Sequence, residues 1–258
     1  MSNLVLRAEP KSLVLRAERD DGLATLTINR PERLNALNVE VFAELRAHVR
    51  AIAGNTEGIG LVILRGAGKC FSAGHDLHDL LHGETLPEPH FQARTVAELA
   101  DLPQPVITAV HGHCYTGALE LALAGDLLVA TESAKFGDTH AKFAVLPIWG
   151  LSQRLPRRVG LPKAREMMFT CRTYSAQEAH AMGLANFVVP DAALDAELDS
   201  LARDILAQSW FSHRANKRLL RDTDGLGLSA GLAHESYATE GVGPDMHERI
   251  SAFTTRRK

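Results

Sequence analysis

Two glycine-rich turns and one glutamate carry residue types that can stabilise a developing negative charge. The turns span residues 72–76 and 113–117. If a helix begins near Thr116, the N–H of Gly117 lies in its first turn without an intrahelical partner, where it suits an oxyanion. A second N–H from the first turn would complete a two-donor hole for a carbonyl oxygen. Glu120, one helical turn further on, could act there as a general acid or base. The spacing of these residues is equally compatible with a purely structural interpretation, in which the segments are tight turns and Glu120 is a solvated helix residue.

The elements that must position these residues alternate between strands and helices. Apolar or alternating runs predict strands at residues 24–28, 61–64, 105–110 and 127–130. One helix is predicted from its Asn38 N-cap to Gly54, and a second over residues 118–124. This alternation indicates an α/β fold. From Pro162 onward the apolar spacing is mostly helical, which predicts a helical last third that packs as a second layer or appendage.

Composition excludes several classes of protein. The 258 residues are 45% hydrophobic and 23% charged, values typical of a globular protein and not of a disordered or membrane-spanning one. A net charge of −3 argues against nucleic acid as a partner. Three widely spaced cysteines support neither a disulfide framework nor a cysteine zinc site, and favour a reducing, cytoplasmic compartment. Twelve histidines are the unusual count.

Other motifs have weaker interpretations. The stretch before residue 22 has no apolar run of signal-peptide length, but it repeats Leu-Val-Leu-Arg-Ala-Glu at 4–9 and 13–18, which suggests a duplicated strand or a misassigned start. A G-x-S-x-G match at 227–231 follows no predicted strand, so a nucleophile elbow is not expected. The histidines and aspartates of residues 75–82 have helical spacing, although a metal site is not the favoured use of this turn.

Several separated motifs, in order, resemble those of the crotonase or enoyl-CoA hydratase/isomerase superfamily. They lie at residues 29–37, 71–77, 105–120, 136–137, 150–155 and 175–185. The resemblance implies a spiral of ββα turns over residues 1–190 and a helical C-terminal trimerisation region over 191–258. It also implies an enzyme of lipid metabolism that acts on an acyl-CoA as a homotrimer or hexamer, with no cofactor because CoA is part of the substrate, no metal and no membrane.

The resemblance also assigns roles to individual residues. The two oxyanion N–H donors fall on His75, through its backbone, and on Gly117. Positions that surround CoA in the family match Arg33, Ala36, Ala73, Asp76 and Leu77, where Arg33 would contact a phosphate. Glu120 matches the first of the two catalytic glutamates of hydratases. Trp149 is expected to line the acyl pocket, although a core tryptophan is equally common.

The second catalytic glutamate is replaced by His140. A Glu120/His140 pair could still add water to a trans-2-enoyl-CoA, because an imidazole can accept or donate a proton near neutral pH. It could instead move a proton between carbons, as in an isomerase, or serve a decarboxylase or thioester hydrolase on the same oxyanion hole. A non-catalytic acyl-CoA binder is the alternative from another class. Asp138 could orient His140, although in an extended segment the two side chains need not touch.

Overall fold

The chain winds through successive turns, each with a strand in a large sheet, a short extended segment in a small sheet, and a helix. A computed structural model describes residues 4–6 and 12–255. Its strands are β1 (Leu4–Leu6), β2 (Val14–Arg19), β3 (Leu23–Ile28), β4 (Leu61–Gly66), β5 (Val106–Val110), β6 (His113–Tyr115), β7 (Leu127–Thr131), β8 (Lys135–Gly137), β9 (Tyr174–Ser175) and β10 (Phe187–Val189). Its helices are α1 (Val39–Ala53), α2 (Leu77–His82), α3 (Phe91–Ala100), α4 (Gly117–Ala122), α5 (Leu151–Val159), α6 (Leu161–Thr170), α7 (Ala176–Ala181), α8 (Leu194–Leu206), α9 (Trp210–Asp222), α10 (Leu228–Tyr237) and α11 (Met246–Thr255). The α/β spiral expected from the sequence is confirmed.

The large sheet has the strand order β1-β2-β3-β4-β5-β7-β10. Strands β3, β4, β5, β7 and β10 are parallel, whereas β1 and β2 form an antiparallel edge. In that edge Val5 lies opposite Glu18 and Leu6 opposite Ala17, so the first copy of the repeat pairs with the second. Residues 7–9 of the first copy lie outside the described residues.

The small sheet brings the two glycine-rich turns together. Strands β6, β8 and β9 form it, with β6 parallel to β8. Two isolated bridges extend the ladder, one between Ser72 and Cys114 and one between Leu37 and His75. Because consecutive turns of the spiral are neighbours here, the segments that end at His75 and at Gly117 lie side by side.

Helix α1 forms where its sequence predicts. Asn38 has an extended backbone, and its side chain accepts a hydrogen bond from the N–H of Val41 at 3.0 Å, which caps the helix. The apolar face formed by Phe42, Leu45, Val49 and Ile52 is buried in the main core. Gly54 ends the helix.

The C-terminal helices differ in how deeply they join the core. Leu194, Leu198 and Ala202 of α8 are buried against the second face of the large sheet, beside Leu61 and Ile107. Helix α8 therefore forms a second packed layer on this sheet and is not an appendage. Helices α9, α10 and α11 contain no buried residue. None of the helices within residues 12–255 is long and apolar enough to span a bilayer.

Candidate active site

The first glycine-rich turn is fixed by a buried asparagine and a glycine. The Asn35 amide donates hydrogen bonds of 2.8 Å to the carbonyls of Ala67 and Cys70. Gly74 has φ +108°, and a Cβ there would lie 2.7 Å from the Tyr115 carbonyl oxygen, so no other residue fits. This close approach brings the N–H of His75 next to the second turn.

The second turn is held in a strained conformation by hydrogen bonds. Thr116 has φ 55° and ψ −111°, a backbone conformation that residues with a Cβ rarely adopt. Its hydroxyl contacts the Thr139 hydroxyl at 2.5 Å and accepts from the Thr139 N–H at 3.1 Å, while its own N–H donates to the Gly137 carbonyl at 2.9 Å. These contacts compensate the strain and set the direction of the Gly117 N–H, because Gly117 is the first residue of α4.

The two predicted oxyanion donors are both unused. Among the residues that the structure describes, neither the His75 N–H nor the Gly117 N–H donates to another protein group. The imidazole of His75 has a separate role, because its Nε2 lies 2.8 Å from Oε1 of Glu84. This arrangement is consistent with the prediction that His75 contributes its backbone N–H, and not its imidazole, to the oxyanion hole.

Trp149 packs against the two residues that carry these donors. Its indole is 3% exposed and stacks edge-on to Phe42, with ring centroids 4.8 Å apart. The His75 ring lies 4.9 Å from it, and a Cβ on Gly117 would lie 2.5 Å from its Cζ3. Trp149 therefore forms a buried wall behind the donors, and whether an acyl chain also touches it stays a prediction.

Glu120 is buried and oriented by backbone donors. Its side chain is 2% exposed, and Oε1 accepts hydrogen bonds from the N–H groups of Trp149 at 2.8 Å and Leu151 at 3.0 Å. Leu151 is the first residue of α5, so its N–H has no intrahelical partner. The carboxylate is thereby fixed with its second oxygen turned toward His140.

His140 lies between two carboxylates. Its Nε2 is 3.5 Å from Oε2 of Glu120, and its Nδ1 is 2.5 Å from Oδ1 of Asp138. Burial would lower the pKa of His140, but the hydrogen bonds and charges of the two carboxylates outweigh it and raise the pKa to about 9. The imidazole is thus protonated at neutral pH, and the sequence-predicted pair of Glu120 and His140 is indeed in contact.

Asp138 is the contact that the sequence left open. The segment is not fully extended, because Thr139 has φ −115° and ψ 13° and a short 3-10 turn begins at His140. This bend lets one oxygen of Asp138 accept from both the backbone N–H, at 3.1 Å, and the ring of His140. The Asp-Thr-His spacing was the available signal, but only the bend converts it into a hydrogen bond.

The predicted CoA-binding residues line one open cavity of about 600 Å³. Its walls include Arg33, Ala36, Ala73, His75, Asp76, Leu77, Tyr115, Thr116, Thr139 and Lys142. The Asp76 carboxylate caps α2 and pairs with Arg30 at 3.1 Å, its N–H donates to the Leu37 carbonyl, and its own carbonyl accepts from the Leu80 N–H. Both its side chain and its backbone therefore have protein partners, and its contact with CoA stays a prediction. Lys142 was not foreseen and adds a second cation to Arg33. Glu120 and His140 are not among the residues that line it, but each is linked to one that is: the Glu120 N–H donates to the Thr116 carbonyl at 3.0 Å, and His140 follows Thr139 in the chain.

Two motifs from the sequence play no part in this site. Residues 227–231 form the start of the exposed helix α10 and follow no strand. His78 and His82 stack on each other, with ring centroids 4.3 Å apart. Within the described part of the chain, no cluster of three histidine, cysteine, aspartate or glutamate side chains could hold a metal ion.

Comparison with known proteins places this architecture among acyl-CoA enzymes. A crystal structure of an enoyl-CoA hydratase from Bacillus anthracis matches with a TM-score of 0.87 at 32% identity and covers 98% of this chain and 96% of that one. The family model for enoyl-CoA hydratase/isomerase matches residues 18–258. The chain therefore belongs to the enoyl-CoA hydratase/isomerase family.

Relatives with different activities are almost equally similar. A protein named "probable enoyl-CoA hydratase echA8" in Mycobacterium tuberculosis is 36% identical over 249 residues, covering 93% of this chain and 94% of the relative. The 1,2-epoxyphenylacetyl-CoA isomerase of Escherichia coli is 34% identical over 247 residues, covering 92% and 94%. Similarity over the whole chain therefore establishes the family, and the choice of reaction depends on the site.

Proposed function

We propose that this protein is an enoyl-CoA hydratase, a lyase that adds water to a trans-2-enoyl-CoA in lipid metabolism. One arrangement carries the proposal. Two backbone N–H groups, on His75 and Gly117, have no partner among the described residues, and Glu120, one helical turn after Gly117, has its buried Oε2 3.5 Å from Nε2 of His140. A carbonyl oxygen at the donors would gain the charge of an enolate, and preorganised N–H groups stabilise such a charge. A water molecule that contacts both Glu120 and His140 would be held for attack at the neighbouring double bond.

The cavity supports CoA as the carrier of the acyl group. Arg33 and Lys142 offer cations for its phosphates, and Ala36, Ala73 and Leu77 offer small or apolar surface for the rest of the molecule. CoA is then part of the substrate, and the reaction needs no further cofactor. We propose that Trp149 bounds the acyl end of the same site.

A second candidate is double-bond isomerisation. The direct contact between His140 and Glu120 would let a proton leave one carbon and return to another without an attacking water. The Escherichia coli relative is named 1,2-epoxyphenylacetyl-CoA isomerase, so a protein about as similar to this chain as the named hydratases carries an isomerase name.

The two candidates are separated by direct assay. Loss of enoyl absorbance with crotonyl-CoA and longer 2-enoyl-CoAs would report hydration, whereas gain of that absorbance from a 3-enoyl-CoA would report isomerisation. We expect hydration, and a fall in kcat of about 10²- to 10⁴-fold in Glu120→Gln and in His140→Ala, the usual contribution of a general acid or base.

Matched controls lie on α11. His247 and Glu248 are exposed neighbours there, so His247→Ala and Glu248→Gln make the same chemical changes away from the site. These variants should keep full activity. Turnover that survives both Glu120→Gln and His140→Ala would rule out the mechanism, and tight binding of CoA esters without turnover would favour a non-catalytic binder.

We also propose that the protein assembles as a homotrimer or hexamer in the cytoplasm. Large apolar side chains of α10 and α11 are exposed, including Leu228, Leu232, Tyr237 and Ile250. Such a surface is typical of one that a partner subunit covers. Light scattering of the full chain tests this, and a monomer would contradict it.

A further inference from the structure

Asp138 is a buried carboxylate with a single partner. It is 1% exposed, and both of its hydrogen bonds within the described residues go to His140, one to the backbone N–H and one to Nδ1. A carboxylate buried in this way is costly unless it is paired. No other described group needs this carboxylate, so its role lies with the imidazole.

The charges around the imidazole come from few elements. Glu120 faces it from α4, and Arg154 of α5 interacts electrostatically with Glu120 from behind. Helix α6 packs on the 3-10 turn, but its Lys163 and Glu166 pair with each other at 2.5 Å. Lys142 on the turn itself lines the cavity. Two carboxylates thus face the ring directly, and no cation lies in direct contact with it among the described residues.

We propose that Asp138 is a positioning residue that holds His140 as the proton donor of the reaction, so that Glu120 is the base. The inference rests on the proposed hydratase function and assigns the two proton-transfer roles that the replacement of a glutamate by His140 had left open. The fixed Nδ1–H hydrogen bond turns Nε2 and its proton toward Glu120 and the substrate.

The proton balance then closes within the site. The Glu120 carboxylate takes a proton from water as the water oxygen bonds to the β-carbon. The π pair of the Cα=Cβ bond then forms a double bond between the α-carbon and the thioester carbon, and the π pair of the carbonyl moves to its oxygen, which gives the enolate. The enolate collapses as Nε2 of His140 gives its proton to the α-carbon. Glu120 then returns the water-derived proton to the neutral Nε2 across the 3.5 Å contact, which restores both groups.

The test removes the charge of Asp138 and keeps its shape. In Asp138→Asn the amide oxygen still accepts from Nδ1, but the ring loses one of the two charges that keep it protonated. We expect the alkaline limb of the kcat profile and the His140 midpoint in an imidazole ¹⁵N NMR titration to move to lower pH together. At pH 8, kcat should fall at least about tenfold with KM nearly unchanged.

Controls separate positioning from folding. Asp191→Asn changes an aspartate that bonds Ser133 on the surface, and it should leave the pH profile unchanged. His140→Gln assigns the NMR signal. If Asp138→Asn does not fold, the native protein still decides, because a His140 midpoint at or below about 6.5, the reference value for histidine, would overturn the inference.

The outcomes distinguish this inference from the proposed function. Turnover in the native protein with an unmoved His140 midpoint in folded Asp138→Asn would overturn the inference and leave the hydratase function standing. Absence of turnover with every enoyl-CoA would overturn the hydratase function and, with it, the role of His140 as a proton donor.

Discussion

The contact between Gly117 and Trp149 leads to a prediction that tests the oxyanion hole itself. In Gly117→Ala the new Cβ would lie 2.5 Å from Cζ3 of Trp149. Carbon atoms in contact are usually about 3.5–4.0 Å apart, so roughly 1 Å must be taken up by movement. The indole is 3% exposed and packed on Phe42 and His75, so the movement falls largely on the strained turn that carries the Gly117 N–H.

Two independent magnitudes agree on the expected loss. A misplacement of about 1 Å can cost about 10²-fold in rate. Loss of one oxyanion-hole donor costs about 10²- to 10³-fold in kcat. We therefore expect Gly117→Ala to lower kcat by about 10²- to 10³-fold with little change in KM, measured with the best enoyl-CoA substrate. Overpacking should also lower stability by about 1–3 kcal/mol, visible as a lower Tm.

The chain offers a matched control for this substitution. Gly60 also approaches a tryptophan, since a Cβ there would lie 2.3 Å from Cε2 of Trp210, but it precedes β4 and does not contact the site. Gly60→Ala should lose stability and keep kcat in its folded fraction. Gly117→Ala combined with Trp149→Leu should recover part of kcat. A folded Gly117→Ala protein with kcat within about threefold of the native value would refute the assignment of this N–H as an oxyanion donor.

Two further predictions concern the cavity and the buried histidine. Arg33→Ala and Lys142→Ala should each raise KM for an enoyl-CoA by about tenfold, because each removes one charge-assisted contact of about 1.5 kcal/mol. KM for the matching enoyl-pantetheine thioester, which lacks the CoA phosphates, should stay unchanged. Equal effects on both thioesters would contradict phosphate binding. Because the pKa of His140 is raised to about 9 in the folded state, its protonated ring stabilises the fold fully below about pH 6.5, and this contribution is lost as the pH rises through about 9. The Tm difference between the native protein and His140→Gln should therefore shrink across that range, and a constant difference would contradict the ion-pair geometry.

Local signals in the sequence predicted the framework well. The Asn38 cap, the apolar face of α1 and the strands at β3, β4, β5 and β7 depend on neighbouring residues or on simple periodicity, and each is present in the structure. The start of α4 at Gly117 was equally readable, because a helix must begin where its glycine-rich turn ends. The two proposed oxyanion donors, on His75 and Gly117, lie on this framework.

Contacts between segments that are distant in the sequence could not be predicted from such local signals. The two N–H groups that hold Glu120 come from residues 29 and 31 positions away, and nothing in the sequence near Glu120 indicates them. The same holds for the packing of Trp149 on Gly117 and of α8 on the large sheet. These contacts depend on how successive turns of the spiral pack on one another, whereas the motifs depend on the residues at which each strand or helix begins and ends.

The replacement of a glutamate by His140 becomes understandable once Asp138 is included. A pair of glutamates with one proton between them would carry one negative charge. Glu120, protonated His140 and Asp138 also carry one negative charge in total and hold one transferable proton on the ring. A neutral imidazole alone would supply no proton to the α-carbon, and an unpaired imidazolium at 7% exposure would be costly to bury. The bend at Thr139 brings Asp138 into hydrogen-bond contact with Nδ1. This pairing lowers the cost of burying the imidazolium charge and favours a proton on Nε2. We therefore expect His140 and Asp138 to act as one unit, so that kcat at pH 8 falls when either residue is changed alone.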